Sequence, residues 1–219
     1  MFHSPFPKHV SFAAEHCSTI GHEQPHEEEL SALGSQTTPR RKRAFVLGRV
    51  AAKKALRRFL DSPPPILPAH DRAPCWPEGI VGSITHAAEW GLAAADQTTR
   101  TRALGIDLAH LSELPDLGIA PIIADANEQR WIAGEPGRLL AMFSAKESIF
   151  KALYPECLMY FGFHDVTTRW CETPTPGFQV HLLRQLGPLW PNGASLRVSV
   201  QWYNEFVLTS VRLPAEIHS

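Results

Sequence analysis

Residues 104–109 combine a strand pattern with a carboxylate. The apolar positions alternate in this segment, so Asp107 projects from the opposite strand face together with Gly105 and Ala109. Aspartate is disfavoured within strands, and a solvated strand face is one explanation for its presence. The other is a metal site, because carboxylate oxygens suit Mg²⁺, an ion that also holds substrate phosphates.

Residues 143–151 add a second carboxylate, this time on a predicted helix. Glu147 and Lys151 lie four positions apart and share one helical face, in the order that favours an ion pair. A plain surface ion pair is the simpler interpretation. Lys146 supplies a further ammonium next to the carboxylate, and this combination is suited to holding a phosphate and a metal together.

A run of basic residues, 40–43, continues along another predicted helix. Arg41 and Arg49 are eight positions apart, which places them only about 80° apart around a helix of 3.6 residues per turn. Both could therefore reach one polyphosphate, and guanidinium groups are well shaped for bidentate phosphate contact. A solvated basic surface would leave the same pattern. His86, where a short strand meets a turn, also has a purely structural interpretation.

Helices and strands alternate in blocks, which predicts an α+β fold of two halves, residues 1–110 and 111–219. One short helix is expected in the first 38 residues. Helical periodicity covers 40–60, ended by the prolines at 63–65, and 138–153, ended at Tyr154-Pro155. Strands at 80–84, 90–95 and 103–108 are expected to form one compact antiparallel unit. Further strands are predicted at 177–183, 195–202 and 205–211, with a hairpin turn at Tyr203-Asn204.

The composition argues against several classes of function. The 21 basic and 22 acidic residues nearly cancel, so no overall charge favours nucleic acid or an anionic membrane as partner. The four cysteines form no CxxC pair, as expected of cytosolic thiols. No segment has the pattern of a signal peptide or a membrane span, so we expect a cytoplasmic protein. HExxH, GxSxG, Walker and GxGxxG motifs are also missing.

Taken together, these segments resemble the 4′-phosphopantetheinyl transferases of the Sfp/EntD type. The resemblance is greatest to the branch that includes enterobactin synthase component D and the actinobacterial enzymes, and it extends over roughly residues 27–165. The resembling segments are Arg41-Lys42, GRVAA at 48–52, PCWPEGIVGSITH at 74–86, GID at 105–107, FSAKES at 143–148, KA at 151–152 and GFHD at 162–165.

The resemblance implies a pseudo-two-fold arrangement of two similar α+β halves, with the active site in the cleft between them. It implies that Asp107 and Glu147 hold Mg²⁺, or Mn²⁺ in its place. It also implies that Lys146 and Lys151 neutralise charge on the pyrophosphate of coenzyme A, so that the catalytic residues are Glu147, Lys151 and Lys146. The residues implied to contact coenzyme A are Arg41, Arg49, Arg72, Thr85, His86, Lys146 and Lys151.

The implied reaction moves the 4′-phosphopantetheine group of coenzyme A onto a serine of an apo acyl, peptidyl or aryl carrier protein and releases 3′,5′-adenosine bisphosphate. Glu147 is the expected general base for the serine, directly or through a water. The resembling branch often serves siderophore, nonribosomal peptide or polyketide biosynthesis. With both halves in one chain, a monomer with neither a nucleic-acid nor a membrane partner would suffice.

Ala109 departs from the family pattern, which usually has a second carboxylate two residues after the aspartate. Because positions 107 and 109 share a strand face, the missing side chain would remove a metal ligand, and water can replace it on Mg²⁺. We therefore expect a higher Mg²⁺ requirement than in a relative with three carboxylates. His110 should point to the other face and is not expected to substitute.

Three other functions agree with parts of the sequence. A catalytically weak or inactive relative would bind coenzyme A without transferring, which Ala109 permits. A nucleic-acid-binding protein would use the basic helix, against the near-neutral net charge and the lack of an RNP-like motif or zinc finger. A metal-dependent phosphohydrolase would normally need more carboxylates than Asp107 and Glu147 offer.

Overall fold

The computed structural model describes residues 2–21, 23–34, 37–114 and 116–215 and divides into two compact units. Unit 1 comprises Met1–Leu104 and Arg212–Ser219, and unit 2 comprises Gly105–Val211. Helices and strands are both present, which confirms the predicted α+β class. The predicted halves were residues 1–110 and 111–219, whereas the units divide at Gly105 and the C-terminal residues return to unit 1.

Unit 1 is built around one antiparallel sheet. Its elements are β1 (Ser11–His16), α1 (Glu27–Ser31), α2 (Pro39–Leu56), β2 (Ile80–Ala87) and β3 (Trp90–Gln97). The strands follow the order β1-β3-β2, and His16 at the end of β1 lies opposite Trp90 at the start of β3. This register brings the end of β1 beside the turn that joins β2 to β3.

Small residues let α2 lie close to this sheet. Ala51 and Ala55 of the helix are buried in one cluster with Ala93 of β3. A Cβ atom at Gly91 would collide with the backbone of Leu47, so the close approach of the helix depends on glycine at this position. The packing fixes which side chains of α2 are buried and which remain at the surface.

Unit 2 carries most of a second sheet. Its elements are β4 (Thr101–His110), α3 (Ala120–Ile123), α4 (Ala126–Ile132), α5 (Pro136–Cys157), β5 (Val166–Cys171), β6 (Gly177–Leu182), β7 (Ser195–Tyr203) and β8 (Phe206–Pro214). The strand order is β4-β8-β7-β6-β5, and the first residues of β4 and the last of β8 belong to unit 1. Leu139, Met142 and Ile149 of α5 are fully buried, as the helical pattern predicts. In the part of the chain that the structure describes, no helix is long and apolar enough to cross a bilayer.

The predicted helices and strands are confirmed in type, but two of their ends were wrong. Helix α2 begins after Thr38, whose side chain accepts a hydrogen bond from the Arg41 N–H, and it ends at Leu56, well before Pro63. Helix α5 does not stop at Tyr154-Pro155 but continues to Cys157, since a proline in the last turn removes only one helical hydrogen bond.

Three predictions of strand arrangement and local structure need correction. Strand β4 does not pair with β2 or β3, so the predicted three-stranded unit was wrong, and its third strand is β1. The turn between β7 and β8 is Asn204-Glu205, with Asn204 in the left-handed conformation at φ 50°, one residue later than predicted. Strands β1 and β5 and helices α3 and α4 were not predicted.

Candidate active site

Strand β4 and helix α5 approach each other so closely that only glycine fits at the contact. A Cβ atom at Gly105 would collide with the carbonyl oxygen of Ser148. Ser144, one turn earlier on α5, places its hydroxyl 3.2 Å from the carbonyl oxygen of Asp107 and 2.9 Å from the hydroxyl of Thr209 on β8. The strand face that carries Gly105 and Asp107 is therefore covered by α5, not by solvent.

Asp107 meets one of the predicted site residues on this face. The Lys151 ammonium donates to the Asp107 carboxylate (Oδ1) at 2.7 Å and to the carbonyl of Ile106 at 3.2 Å. Asp107 is buried, so the solvated strand face that would have explained it is wrong. Glu147 and Lys151 make no simple surface pair with each other, because Lys151 is bonded to Asp107 of another element.

The charges of Asp107 and Lys151 also act on Glu147. Burial raises the pKa of Glu147, the negative charge of Asp107 raises this pKa further, and Lys151 partly opposes both effects. Two carboxylates and one ammonium thus influence one another at the junction of β4 and α5. Such a set can hold a divalent cation, and the raised pKa of Glu147 is of the kind found at functional sites.

Lys146 points to a different place from Lys151. Its ammonium donates to the Glu128 carboxylate at 2.8 Å, to the carbonyls of Ile123 and Phe163 at 2.8 and 2.9 Å, and to that of Val166 at 3.4 Å. Burial lowers the pKa of Lys146, and the hydrogen bond and charge of Glu128 oppose this change. The predicted role of Lys146 at the pyrophosphate has no support from these contacts, which already use all three ammonium donors.

Glu128 organises this network and was missed in the sequence. Its Oε2 accepts from Lys146 and from the Asp125 N–H, and its Oε1 accepts from the N–H and the hydroxyl of Thr168, each at 2.8 Å. A local signal was available, because Asp125 and Glu128 have the D-x-x-E spacing of a helix capping box. No local sequence pattern indicates that Lys146 is the partner of Glu128.

A cavity of about 200 Å³ opens beside Glu147 within unit 2. Aromatic side chains dominate its wall, which is lined by Lys146, Glu147, Phe150, Tyr160, Phe161, Gly162, Phe163 and Val166. Tyr160 is strongly exposed and the Phe161 ring packs 5.1 Å from that of Phe150. The cavity can take a slender, mostly apolar chain whose reacting end lies next to Glu147.

The predicted phosphate-binding residues of unit 1 differ greatly in exposure. Arg41 is exposed near the start of α2, whereas Arg49 is buried, with its guanidinium 4.5 Å from the Phe45 ring and its Nε 3.7 Å from the Glu29 carboxylate. Among the residues that the structure describes, that Nε has no hydrogen-bond partner. Arg72 is exposed, with the left-handed φ of 70°.

Thr85 and His86 are neighbours on β2 and face opposite ways. Thr85 is buried and His86 is exposed, as alternation along a strand requires. The two side chains therefore cannot bind the same group of a ligand from one face of the strand. Their predicted contact with coenzyme A stays a prediction for each residue separately.

Ala109 is buried on β4 and supplies no ligand atom. His110 is held elsewhere: its Nδ1 lies 2.6 Å from the Ser112 hydroxyl, its Nε2 lies 3.5 Å from the Glu205 carboxylate, and its ring packs on Phe206. The expectation that His110 does not replace the missing carboxylate agrees with these contacts.

Two family models match separate parts of this chain. Residues 26–96 match the 4'-phosphopantetheinyl transferase N-terminal domain, and residues 103–209 match the 4'-phosphopantetheinyl transferase superfamily. The protein belongs to the 4′-phosphopantetheinyl transferase superfamily, which confirms the resemblance found in the sequence.

Among its relatives is the 4'-phosphopantetheinyl transferase Svp of Streptomyces mobaraensis, 38% identical over 58% of this chain and 54% of that protein. The transferase Npt of Nocardia iowensis is 32% identical over 64% of this chain and 63% of that protein. PptT of Mycobacterium tuberculosis is 31% identical over 68% of this chain and 67% of that protein. The chain therefore aligns with between about half and two thirds of the length of these relatives.

Proposed function

We propose that the protein transfers the 4′-phosphopantetheine group of coenzyme A to a serine of an apo carrier protein. The observation that carries the proposal is the convergence of Asp107, Glu147 and Lys151 at the junction of β4 and α5. The proposal also rests on membership of the phosphopantetheinyl transferase superfamily, whose model covers this junction.

Asp107 and Glu147 suit a divalent cation. Repulsion between the two carboxylates contributes to the raised pKa of Glu147, and a cation between them would remove that repulsion. Mg²⁺ commonly takes one or two carboxylates and completes its shell with waters and substrate phosphates. The bound ion, Mg²⁺ or Mn²⁺, would supply neutralisation of the negative charge that develops on the pyrophosphate.

Lys151 would exchange partners when coenzyme A binds. Its side chain is 29% exposed, and its ion pair with Asp107 is accessible to solvent on one side. With Asp107 engaged by the cation, the ammonium would move to the pyrophosphate and stabilise the leaving phosphate. Lys146 has no such freedom, so we assign it a structural role in place of the one that the resemblance implied.

The transfer step itself breaks one phosphorus–oxygen bond and forms another. The serine Oγ of the carrier would attack the phosphorus next to the pantetheine arm, and the bond from this phosphorus to the bridging oxygen would break. The serine proton would pass to the Glu147 carboxylate, directly or through a water, in the role of general base that the sequence predicts for this residue. The product 3′,5′-adenosine bisphosphate would leave with the bridging oxygen.

The remainder of coenzyme A would use groups described above. The aromatic cavity beside Glu147 fits the pantetheine arm, whose methylene and methyl groups can pack on Phe150 and Phe161. In unit 1, Arg49 offers a buried guanidinium whose Nε lacks a hydrogen-bond partner within the described part of the chain, and Arg41 offers an exposed guanidinium. Both retain the predicted role of binding phosphate. Arg72, Thr85 and His86 retain the predicted contact with coenzyme A.

The carrier protein is the second substrate. Three relatives named enterobactin synthase component D, from Salmonella, are 31–34% identical to this chain, which favours a carrier of siderophore or other nonribosomal peptide assembly. An activity that uses coenzyme A and a carrier fits the cytoplasmic location expected from the sequence. We propose a monomer as the active form.

Intact-mass analysis of an apo carrier protein tests the proposed function. Peptidyl, aryl and acyl carriers are incubated with the protein, coenzyme A and Mg²⁺, with a chelated reaction and Glu147→Ala as controls. We expect one phosphopantetheine to be added by the wild-type protein with metal, and none in either control. Coenzyme A binding without any mass gain on the three carriers would contradict transfer and identify an inactive relative, the outcome that Ala109 permits.

A further inference from the structure

Three potential metal ligands converge in unit 1, in a group separate from Asp107 and Glu147. His16 ends β1, Cys17 follows it directly, and Glu89 lies in the turn between β2 and β3. One ligand atom from each residue lies within 4.8 Å of the other two. The Cys17 N–H donates to the Glu89 carbonyl at 3.0 Å, so the backbone itself holds the two segments together.

The three atoms form a donor set typical of zinc. Imidazole nitrogen, cysteine sulfur and carboxylate oxygen are its usual protein ligands, and three of them leave a fourth position for water or another group. The Nε2 of His16 lies 3.6 Å from Oε2 of Glu89. Two ligands at zinc-bonding distances of about 2.0–2.2 Å and a tetrahedral angle would lie about 3.4 Å apart, so this spacing needs little adjustment.

Neighbouring groups fix the orientations of His16 and Glu89. The Nδ1 of His16 lies 2.6 Å from the Ser18 hydroxyl and accepts a hydrogen bond from the Ser18 N–H at 3.2 Å. With a metal on Nε2 the ring proton would lie on Nδ1, which would then donate to the Ser18 hydroxyl in place of accepting from the N–H. The His16 ring packs on Trp90, 4.8 Å away. Arg43 lies 3.7 Å from Oε1 of Glu89 and thus leaves the other oxygen facing His16.

We propose that His16, Cys17 and Glu89 form a Zn²⁺ site that fastens the end of β1 to the turn between β2 and β3. Glu89 is 54% exposed, which gives the ion a route from solvent. Binding converts the Cys17 thiol to a thiolate and releases its proton to the buffer. The site stands apart from the proposed transfer chemistry, and neither proposal depends on the other.

Cobalt substitution tests this site, because Co²⁺ bound to a thiolate gives a charge-transfer absorption that oxygen ligands do not give. The full chain is stripped of metal with a chelator and titrated with Co²⁺. We expect one equivalent to produce the band and Zn²⁺ to abolish it. Cys17→Ser should remove the band, and the matched control Cys171→Ser, at another half-buried cysteine, should retain it.

Competition with a chromophoric chelator measures Zn²⁺ affinity. Ser18→Ala removes only the group behind His16 and should weaken binding by roughly tenfold or more. His16→Gln should weaken it further. Circular dichroism of each metal-free variant confirms that the chain is folded. A wild-type protein without the band, or a folded Cys17→Ser variant with an unchanged band, would overturn the site, and Mg²⁺-dependent transfer would be unaffected by either result.

Discussion

Two lysines of α5, Lys146 and Lys151, differ in their exposure and in the number of groups that accept hydrogen bonds from them. Lys146 is 2% exposed, and the Glu128 carboxylate and three backbone carbonyls surround its ammonium. The Lys151 side chain is 29% exposed and bonds to the Asp107 carboxylate and one carbonyl. Five positions correspond to about 140° around a helix, which is why the two side chains meet different surroundings.

This difference indicates which ammonium can change its hydrogen-bond partner when a substrate binds. A buried ammonium is tolerated only with its acceptors in place, and removing one partner of such a pair leaves a charge that is costly to bury. In the pair of Lys151 with Asp107 the carboxylate is buried but the ammonium is partly exposed, so the ammonium can turn to another anion at a lower cost. Under the proposed function we therefore expect Lys146 to contribute to stability and Lys151 to bind the negative charge of the substrate.

Lys146→Ala should have the largest effect. It leaves the buried Glu128 without its cation and should lower the free energy of unfolding by about 3–5 kcal/mol, whereas Lys151→Ala, which removes a partly exposed ammonium, should lower it by less. Urea unfolding of the two variants measures the difference. The double variant Lys146→Met, Glu128→Gln removes both charges and should recover at least half of the loss. Equal destabilisation by the two alanine variants would refute the distinction.

Lys151→Ala should act on catalysis instead. Loss of an ammonium that stabilises the leaving phosphate should reduce kcat/KM by about 10²–10³-fold, with Lys151→Arg recovering part of the rate because it keeps the charge. Initial rates of carrier modification provide the measurement. The Lys146→Met, Glu128→Gln variant is the matched control and should lose less than about tenfold. A rate for Lys151→Ala within that range would mean that Lys151 does not contact the pyrophosphate.

The variant Ala109→Glu tests whether position 109 of β4 can supply a ligand to the metal. Position 109 shares the β4 face of Asp107, so a carboxylate there should add a metal ligand and lower the Mg²⁺ concentration for half-maximal rate by about tenfold. Ala109→Gln has the same size without the charge and should give a smaller change. An unchanged Mg²⁺ requirement in both variants would show that this position does not reach the metal.

Glu147→Gln should have the smallest effect of these variants. The quantity affected is the pH dependence of the free energy of unfolding, measured in the presence of a chelator. The pKa of Glu147 is raised by burial and by Asp107, so between its ordinary and raised values the folded state binds more protons than the unfolded state. The free energy of unfolding therefore falls as pH rises through that interval. Urea unfolding at about pH 5 and about pH 8 should show a smaller fall in the glutamine variant, and an identical pH dependence would contradict the raised pKa.

Local sequence patterns predicted which faces of β4 and α5 carry Asp107, Glu147 and Lys151 better than they predicted the partners of lysine side chains. Alternation on β4 placed Asp107 on the strand face that α5 covers, and the four-residue spacing placed Glu147 and Lys151 on one helix face. The same patterns could not show that Lys146 turns toward Glu128, since that pair joins two elements 18 positions apart. Strand β4 pairs with β8 for a similar reason: the partner of a strand depends on the whole chain.

The most direct test compares Asp107→Asn with the Lys146→Met, Glu128→Gln double variant in one carrier-modification experiment with saturating coenzyme A and Mg²⁺. We expect the carrier to gain the mass of one phosphopantetheine with the double variant and none with Asp107→Asn. A carrier modified by Asp107→Asn but not by a folded double variant would show that the chemistry depends on the Lys146 network and not on Asp107, Glu147 and Lys151.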